Sequence, residues 1–398
     1  MLGLLLRTWL ARGPGRAIVV AMLSLALTVP ALAQSGDYQS RAKYAVLMDA
    51  ATGAILYQKN ADELVPPASL SKLMTLAVLF RTLKSGKLTA SDEFVMSVNA
   101  WRKGGAPSKT SAMMVPVNTK VKLSELIQGI IVQSGNDACI SVAEGIAGSE
   151  DNFAKLMTEE GRRIGLKKST FGNATGLPNP AQLMSARELG QLARFLVREY
   201  PEHYPVFGQK EFPYRHHKFI NRNPLLFLSI GADGMKTGFI KEAGYGLVGS
   251  AVQDGRRLIV VIMGLNTAEE RKAESLRILE WGFKSFTEFK LFDEGEVVGQ
   301  ARVWGGDRMY VPLTGKGELR VILPKLPVNP KLKAEIVYKY PLKAPIQKGD
   351  EAATLRVISQ SNAQNDVPLY AAEDVTAGGV MRRGLDTIVH LAFRWITL

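Results

Sequence analysis

The sequence predicts an α+β protein in which an antiparallel sheet packs against helices, followed by a small all-β domain and a C-terminal amphipathic helix. Three features indicate this architecture. A run that is apolar on nearly every side follows Pro66-Pro67, which is typical of a buried helix. Strand-like segments flank the turn dipeptide Asp254-Gly255. After about Lys290, short alternating runs are separated by Gly- and Pro-bearing turns.

The N-terminal segment, residues 1–33, has the pattern of a secretory signal. Three arginines precede an apolar run over residues 17–29, and Ala31-Leu32-Ala33 supplies a small-x-small cleavage site. A retained transmembrane anchor is the alternative, but the apolar run is short for a membrane span. We therefore expect the protein to be exported.

Charge and cysteine content narrow the partners. The 398-residue chain has a formal net charge of +13, and removal of the leader leaves +10. The cations are dispersed and no nucleic-acid module is recognisable, so we expect an anionic membrane surface or wall polymer rather than a nucleic acid. Cys139 is the only cysteine, which excludes an internal disulfide. The adjacent pair His216-His217 lacks metal-ligand spacing, so we expect neither a metal nor a cofactor.

Ser69 and Lys72 form the first candidate pair for chemistry. A hairpin is predicted before them, around Thr52-Gly53. Ser69 then lies in the first turn of the buried helix, and the spacing of three places Lys72 on the same face. A serine hydroxyl becomes a good nucleophile when a base removes its proton, and lysine can do so if its pKa falls from ~10.4 toward ~7–8. An N-cap followed by a snorkelling lysine is the alternative interpretation.

The next stretch predicts a polar turn between two helices. Residues 91–120 are polar and broken by glycine and proline, which favours loops and short strands at the rim of a site. Ser124 is the expected N-cap of a helix to Val132, and a second helix is expected over residues 137–146. The intervening Ser134-Gly135-Asn136 projects a hydroxyl and a carboxamide, although an ordinary turn with an Asn cap is equally compatible. A capping box at Ser185–Glu188 predicts a helix to about Tyr200.

Residues 231–264 predict an antiparallel meander. Lys236-Thr237-Gly238 leads into a strand over residues 245–252, which the turn at 254–255 connects to a strand over residues 257–263. Glycine at 238 permits a ligand to approach the backbone closely. A helix over residues 268–286 carries Arg271 in its first turn, where the helix dipole disfavours a cation. Arg271 is therefore expected to have an anionic partner, with an ordinary surface arginine as the alternative.

The C-terminal quarter of the chain, from about Lys290, predicts a small β domain and then an amphipathic helix. Alternating runs at 302–304, 320–323, 334–340 and 355–359 predict strands. On a helical wheel of residues 379–398 six polar positions fall in an arc of about 100°, which is typical of a helix lying in a membrane interface. Docking of this helix on the protein's own β domain is the alternative. The six positions in the arc are Arg383, Asp386, Thr387, His390, Arg394 and Thr397.

Taken together, three short motifs resemble a known enzyme family. Ser69-Leu70-Ser71-Lys72, Ser134-Gly135-Asn136 and Lys236-Thr237-Gly238 occur in the order of the signature elements of serine penicillin-binding proteins and serine β-lactamases. Segments around Asp49 and Tyr57, the β domain and the tail further resemble the low-molecular-mass D-alanyl-D-alanine carboxypeptidases. The resemblance spans essentially the whole mature chain and implies a β-lactamase/transpeptidase-like fold.

The resemblance implies a role for each motif residue. Ser69 would be acylated by the penultimate D-alanine carbonyl of a peptidoglycan stem peptide. Lys72 would be the base, with its charge disfavoured by Lys236. Ser134 would relay a proton to the leaving group, and Asn136 would hold the substrate backbone.

The remaining implied roles concern binding. The N–H groups of Ser69 and Phe239 would form the oxyanion hole. Thr237 and Arg271 would meet the terminal carboxylate, next to Lys236 and Gly238. The implied protein is a penicillin-sensitive carboxypeptidase, with β-lactams as covalent inhibitors, peripheral on the periplasmic face of the bacterial inner membrane. The expected segments are a signal peptide (1–33), a catalytic domain (34–289), a β domain (290–376) and an anchoring helix (377–398).

Two departures and two alternatives accompany this interpretation. Phe239 stands where related enzymes often have His, and Ala181-Gln182-Leu183 stands where many have a His-bearing loop. A class A β-lactamase is the first alternative, but no Glu-x-x-x-Asn element is evident in residues 171–184. A wall-binding scaffold with a silent site is the second, although a scaffold has no need of the intact motif set.

Overall fold

A computed structural model describes residues 19–20, 38–325, 332–359 and 364–380. The described residues fall into two compact units. The larger contains Tyr38–Gly53 and Tyr57–Lys284, and the smaller contains the residues from Ser285 onward together with Ala54–Leu56. The predicted leader, apart from residues 19–20, and the predicted amphipathic helix beyond residue 380 lie outside the described residues. No helix in the described ranges has the length and apolarity that crossing a bilayer requires.

The larger unit contains the predicted meander. Its central sheet has the order β2-β10-β9-β8, all antiparallel, and β3 adjoins β2. Gln253 pairs with Arg256 across the two-residue turn at 254–255, as predicted. The strands up to residue 265 are β1 (Val19–Val20), β2 (Tyr44–Asp49), β3 (Ile55–Lys59), β4 (Glu93–Val95), β5 (Lys120–Lys122), β6 (Glu211–Tyr214), β7 (His217–Ile220), β8 (Ala232–Ile240), β9 (Gly244–Gln253) and β10 (Arg256–Leu265).

Seven α-helices of the described residues accompany this sheet. The first nine residues of Lys72–Lys84 are all buried, including Lys72, as expected of a helix that is apolar on nearly every side. The helices are α1 (Lys72–Lys84), α2 (Val98–Gly104), α3 (Leu123–Gln128), α4 (Asn136–Ala147), α5 (Glu150–Arg163), α6 (Ala186–Glu199) and α7 (Ala268–Ser285). Short 3₁₀ helices cover Ala68–Ser71, Ala106–Ser108, Tyr204–Gly208 and Pro224–Phe227, and a π-helix covers Gly129–Gln133.

Three local predictions are wrong. Residues 91–120 contain helix α2, whose N-cap Ser97 accepts a hydrogen bond from the backbone of Ala100. Lys122, not Ser124, is the N-cap of α3, because the chain enters this helix directly from strand β5. Ser185 does cap α6, but Glu188 does not complete the box, since its carboxylate accepts hydrogen bonds from the loop at Lys168 and Ser169 instead.

The smaller unit is all-β, as predicted. β11 pairs with β14, β12 with β13, and β13, β18, β17 and β15 follow one another, all antiparallel; the two-residue β1 pairs with β15. A separate apolar core, which includes Val303, Val321 and Leu369, fills its interior. The strands are β11 (Phe286–Phe292), β12 (Val297–Trp304), β13 (Tyr310–Thr314), β14 (Leu319–Pro324), β15 (Leu332–Val337), β16 (Leu342–Lys343), β17 (Glu351–Ser359) and β18 (Gln364–Ala371). The predicted fold class, α+β followed by all-β, is confirmed.

Candidate active site

Ser69 and Lys72 lie on consecutive turns. Ser69 belongs to the 3₁₀ helix that leads into α1, rather than to α1 itself, and Lys72 is the first residue of α1. The Lys72 ammonium donates to Ser69 Oγ at 3.0 Å and to Asn136 Oδ1 at 2.7 Å. Ser69 is half-buried, whereas Lys72 is fully buried. The hydroxyl is therefore accessible from solvent while the amine beside it is not.

The Ser134-Gly135-Asn136 turn supplies the second wall. The π-helix ends at Ser134, whose left-handed backbone (φ 61°) turns its side chain out of the helical path. Asn136 then begins α4, and its amide nitrogen donates to Thr110 Oγ1 at 2.9 Å. Both side chains are almost completely buried. The turn thus presents a hydroxyl and an amide oxygen two residues apart, as the sequence indicated.

Strand β8 supplies the third wall. Lys236 Nζ donates to Ser134 Oγ and to the Thr237 carbonyl, each at 3.0 Å. A Cβ atom at Gly238 would lie 3.0 Å from Leu70 Cγ and 3.1 Å from the Pro67 carbonyl, so glycine allows β8 to approach the Ser69 turn. Phe239 follows and is 52% exposed. Lys72 therefore contacts Ser69, and Lys236 contacts Ser134. The turn over residues 134–136 links the two pairs, because Asn136 accepts a hydrogen bond from Lys72.

A fourth wall, the loop over residues 173–178, was missed from the sequence. The Thr175 carbonyl accepts a hydrogen bond from Lys72, and Thr75 Oγ1 donates to the Ala174 carbonyl at 2.7 Å. Gly176 has φ 78°, and a Cβ there would lie 2.0 Å from the Ala68 carbonyl oxygen. A contact made by a backbone carbonyl leaves no residue-type signal in the sequence.

Burial controls the ionisation of both amines. Burial lowers the pKa of Lys72 to about 8, and the Arg222 cation contributes to the decrease while Cys139 and Asp137 oppose it. Burial also lowers the pKa of Lys236 well below its ordinary value, and the charge of Lys72 lowers it further. Desolvation is thus the main cause at both amines, and the like-charge effect that was expected at Lys72 acts on Lys236 instead. Two buried amines that repel each other favour a state in which the pair carries one proton fewer.

Arg222 is a second residue that the sequence did not reveal. It follows β7 and donates from Nη1 to Ser111 Oγ at 2.7 Å. Its charge lowers the pKa values of Lys72, Lys236 and Arg271. It lies outside every recognisable motif, which is why pattern alone did not find it.

No carboxylate of the described residues pairs with Arg271. Within the described ranges it forms no ion pair, and its buried Nε has no hydrogen-bond partner. Its guanidinium instead lies over the ring of Tyr245, with Cζ 5.5 Å from the ring centroid. Its charge lowers the pKa of Lys236, so it belongs to the same electrostatic environment. An aromatic face, not a protein carboxylate, is the neighbour of Arg271, and the expected anionic partner stays a prediction.

The arrangement can perform acyl transfer. It holds a half-buried hydroxyl against an amine of lowered pKa, a second hydroxyl against a second amine, and an arginine without a protein anion. These are the requirements for an activated nucleophile, a proton relay and recognition of a negatively charged ligand group.

Comparison with known proteins gives consistent results. A family described as D-alanyl-D-alanine carboxypeptidase matches residues 31–267, and the penicillin-binding protein 5 C-terminal domain matches residues 286–377. The D-alanyl-D-alanine carboxypeptidase DacC of Escherichia coli is 36% identical over 354 residues, 88% of each chain. The DacA enzyme of Haemophilus influenzae is 36% identical over 356 residues, 88% of this chain and 89% of the relative.

Solved structures agree with the sequence comparison. Penicillin-binding protein 5 from Haemophilus influenzae superposes with a TM-score of 0.70 at 35% identity, and the match covers 88% of this chain and all of that one. Penicillin-binding protein D2 from Listeria monocytogenes, solved in an ampicillin-bound form, gives a TM-score of 0.55 at 26% identity over 63% of this chain and all of that one.

Proposed function

The chain belongs to the D-alanyl-D-alanine carboxypeptidase family and is a serine-type enzyme of that family; from this premise we propose how its residues remove the terminal D-alanine of peptidoglycan stem pentapeptides. The observation that carries the proposal is the 3.0 Å hydrogen bond between the buried Lys72 amine and Ser69 Oγ. It supports Ser69 as nucleophile and Lys72 as its base.

The acylation step depends on neutral Lys72. With a pKa of about 8, roughly one-tenth of this amine is neutral at pH 7, about 300-fold more than at the ordinary value of 10.5. The neutral amine accepts the Ser69 proton while Ser69 Oγ attacks the penultimate D-alanine carbonyl. The carbonyl oxygen acquires negative charge, which the backbone N–H groups of Ser69 and Phe239 stabilise.

The substrate itself sets the proton distribution. Lys236 and Arg271 receive the terminal carboxylate, together with Thr237 and the open backbone at Gly238. An anion beside Lys236 favours its charged form, and repulsion from that charge favours neutral Lys72. Ser134, bonded to Lys236 at 3.0 Å, then relays a proton to the departing D-alanine nitrogen, while Asn136 holds the peptide backbone.

Hydrolysis completes the cycle. The proton that Lys72 took from Ser69 has by then passed through Ser134 to the departing nitrogen, so Lys72 is neutral again. Water attacks the acyl-Ser69 ester and gives a proton to Lys72, which returns it to Ser69 Oγ as the ester C–O bond breaks and the shortened peptide leaves. A β-lactam acylates the same hydroxyl, and the related D2 protein is described in ampicillin- and cefotaxime-bound forms. The absence of an evident Glu-x-x-x-Asn element in residues 171–184 favours a slowly hydrolysed penicillin adduct over rapid turnover.

Substitution of Ser69 tests the assignment. Ser69→Ala should abolish D-alanine release from a pentapeptide and labelling by a fluorescent penicillin, with an unchanged melting temperature. Ser71→Ala is the matched control, since Ser71 Oγ donates to the Ala68 carbonyl and, among the described residues, makes no hydrogen bond to Lys72. Unchanged release by Ser69→Ala would refute the nucleophile. Rapid release of the label from the unsubstituted protein would instead indicate a β-lactamase.

The same proposal extends to location. We propose that residues 1–33 direct export, that residues 34–289 catalyse and residues 290–376 form the separate β domain, and that residues 377–398 hold the enzyme on the periplasmic face of the inner membrane. The wheel of residues 379–398 supports the last assignment. Phe393→Glu, on the apolar face, should release the protein from anionic phospholipid vesicles, whereas Thr387→Glu on the polar arc should not. Equal sedimentation of both variants would contradict it.

A further inference from the structure

Tyr245 has no part in the proposed reaction, yet it contacts two residues that do. It lies directly opposite Phe239 in the β8–β9 register. The two ring centroids are 4.2 Å apart with an interplanar angle of 32°. The Arg271 guanidinium carbon lies 5.5 Å from the centroid of the Tyr245 ring, within the range of a cation–π contact.

To act as a clamp that binds the substrate's terminal carboxylate, the Arg271 guanidinium must be held in place by a neighbouring group. It occupies the first turn of α7, where the helix dipole disfavours a cation. Its Nε is buried without a hydrogen-bond partner, and no carboxylate of the described chain forms an ion pair with it. An acidic partner would fix the guanidinium but would also compete with a ligand carboxylate. An aromatic face holds a cation without offering a competing negative charge.

We propose that Tyr245 is a positioning residue that orients the Arg271 guanidinium toward the substrate's terminal carboxylate while leaving its charge available. This inference rests on the proposed role of Arg271. Phe239, the proposed oxyanion-hole residue, buttresses the same ring from the neighbouring strand. The Phe239–Tyr245 pair therefore links the proposed oxyanion hole to Arg271, which binds the terminal carboxylate in the proposed reaction. This connection selects a substrate whose scissile carbonyl is one residue from a free C-terminus.

The contact between Tyr245 and Arg271 depends on the aromatic ring rather than on the phenolic hydroxyl. The Tyr245 hydroxyl has no hydrogen bond within the described part of the chain, and the side chain is half-buried. Phenylalanine should therefore substitute for it, whereas an aliphatic or amide side chain should not. This difference separates orientation of Arg271 from a general packing effect.

The test measures kcat and KM for two acylated peptides that differ only at the C-terminus. One ends in D-Ala-D-Ala with a free carboxylate and the other in the primary carboxamide. The ratio of their kcat/KM values reports recognition of the carboxylate. Tyr245→Phe should retain the ratio of the unsubstituted enzyme. Tyr245→Leu should lower it about tenfold, through a higher KM for the carboxylate substrate and an unchanged rate with the carboxamide.

Arg271→Leu removes the proposed carboxylate-binding group, so it gives the lowest kcat/KM ratio that is expected. It also tests the premise that Arg271 binds the terminal carboxylate. If Arg271→Leu retains the ratio, the clamp assignment fails and the role of Tyr245 fails with it. If Arg271→Leu collapses the ratio but Tyr245→Leu retains it, the clamp stands and the positioning role is refuted. Equal loss with both substrates in Tyr245→Leu, or loss in Tyr245→Phe, also refutes it. Tyr245→Gln provides a second non-aromatic variant should Tyr245→Leu not fold.

Discussion

Replacing Lys72 with methionine should make the stability of the protein, relative to the parent, increase as the pH falls toward neutrality, while removing its activity. The lysine is fully buried, and burial lowers its pKa from 10.5 to about 8. A difference of one pKa unit is equivalent to about 1.36 kcal/mol, so keeping this amine charged in the folded protein at pH 7 costs about 3 kcal/mol. Methionine has a similar shape and bears no charge.

The pH dependence of the free energy of unfolding separates the cost of burying the charged amine from the other effects of the substitution. The unfolded chain keeps the Lys72 proton up to about pH 10.5, whereas the folded chain releases it near pH 8. The stability that Lys72 contributes is therefore fully present above pH 10.5 and is lost as the pH falls to about 8. Lys72→Met has no amine to ionise at this position, so it does not lose this stability as the pH falls. It also removes the repulsion that lowers the pKa of Lys236. Both effects raise the stability of Lys72→Met, relative to the parent, as the pH falls toward about 8.

Urea unfolding of the two proteins between pH 7 and pH 11 measures the difference. We expect the free energy of unfolding of Lys72→Met, relative to the parent, to increase by about 3 kcal/mol from pH 10.5 to pH 7. Loss of the hydrogen bonds to Ser69, Asn136 and Thr175 shifts the whole difference downward by about 2–4 kcal/mol but does not depend on pH in this range. Lys87→Met, which removes an exposed lysine, controls for the loss of one cation. A stability difference that stays constant with pH would refute the reasoning.

Three further predictions concern the base, the loop and the β domain. If neutral Lys72 is the base, kcat/KM should rise about tenfold per pH unit below about pH 8 and then level off in a profile from pH 6 to 9. Gly176→Ala should lower activity about 100-fold, because its Cβ would lie 2.0 Å from the Ala68 carbonyl and displace the Ser69 turn. Asn365→Ala should destabilise the smaller unit by about 2–4 kcal/mol in calorimetry, because its amide pairs both backbone groups of Ile322, with no change in peptide hydrolysis.

Each of these has a matched control and a contradicting outcome. A flat profile between pH 6 and pH 8 would exclude Lys72 as the base. Gly86→Ala imposes a similar backbone strain at φ 71° in open space and should leave activity intact, so equal effects at 86 and 176 would contradict the steric argument. Gln364→Ala changes the neighbour of Asn365. If it destabilises the unit as much as Asn365→Ala, the Ile322 hydrogen bonds are not the cause.

The sequence predicted those parts of the fold that depend on local pattern. The meander around the 254–255 turn, the buried helix after Ser69 and the alternating strands of the β domain all follow from short-range periodicity and turn chemistry. Helix α2 was missed because Gly104, its last residue, and Gly105 and Pro107, which follow it, made the segment resemble a loop. The N-cap of α3 was misplaced because a strand leads into the helix without a break.

The site was predictable where side chains carry the chemistry and not where backbone or distant charge does. Ser69, Lys72, Ser134 and Lys236 were recognisable in ordered motifs, and the structure places each within 3.0 Å of a partner. The Thr175 carbonyl has no residue signature, and the charge of Arg222 acts on the lysines through space. The aromatic partner of Arg271 could not be deduced from the helix dipole, which only indicates that some stabilising contact is needed.

The use of a main-chain carbonyl as the third acceptor for Lys72 has a genetic consequence. No change of side chain at position 175 can delete that oxygen. The Thr175 hydroxyl is itself buried and hydrogen-bonded to Asn173 and Leu177, so its loss should weaken the loop without removing the carbonyl. A substitution scan should therefore find position 176, where Gly176 permits the path of the loop, less tolerant than position 175, although only Thr175 contacts Lys72.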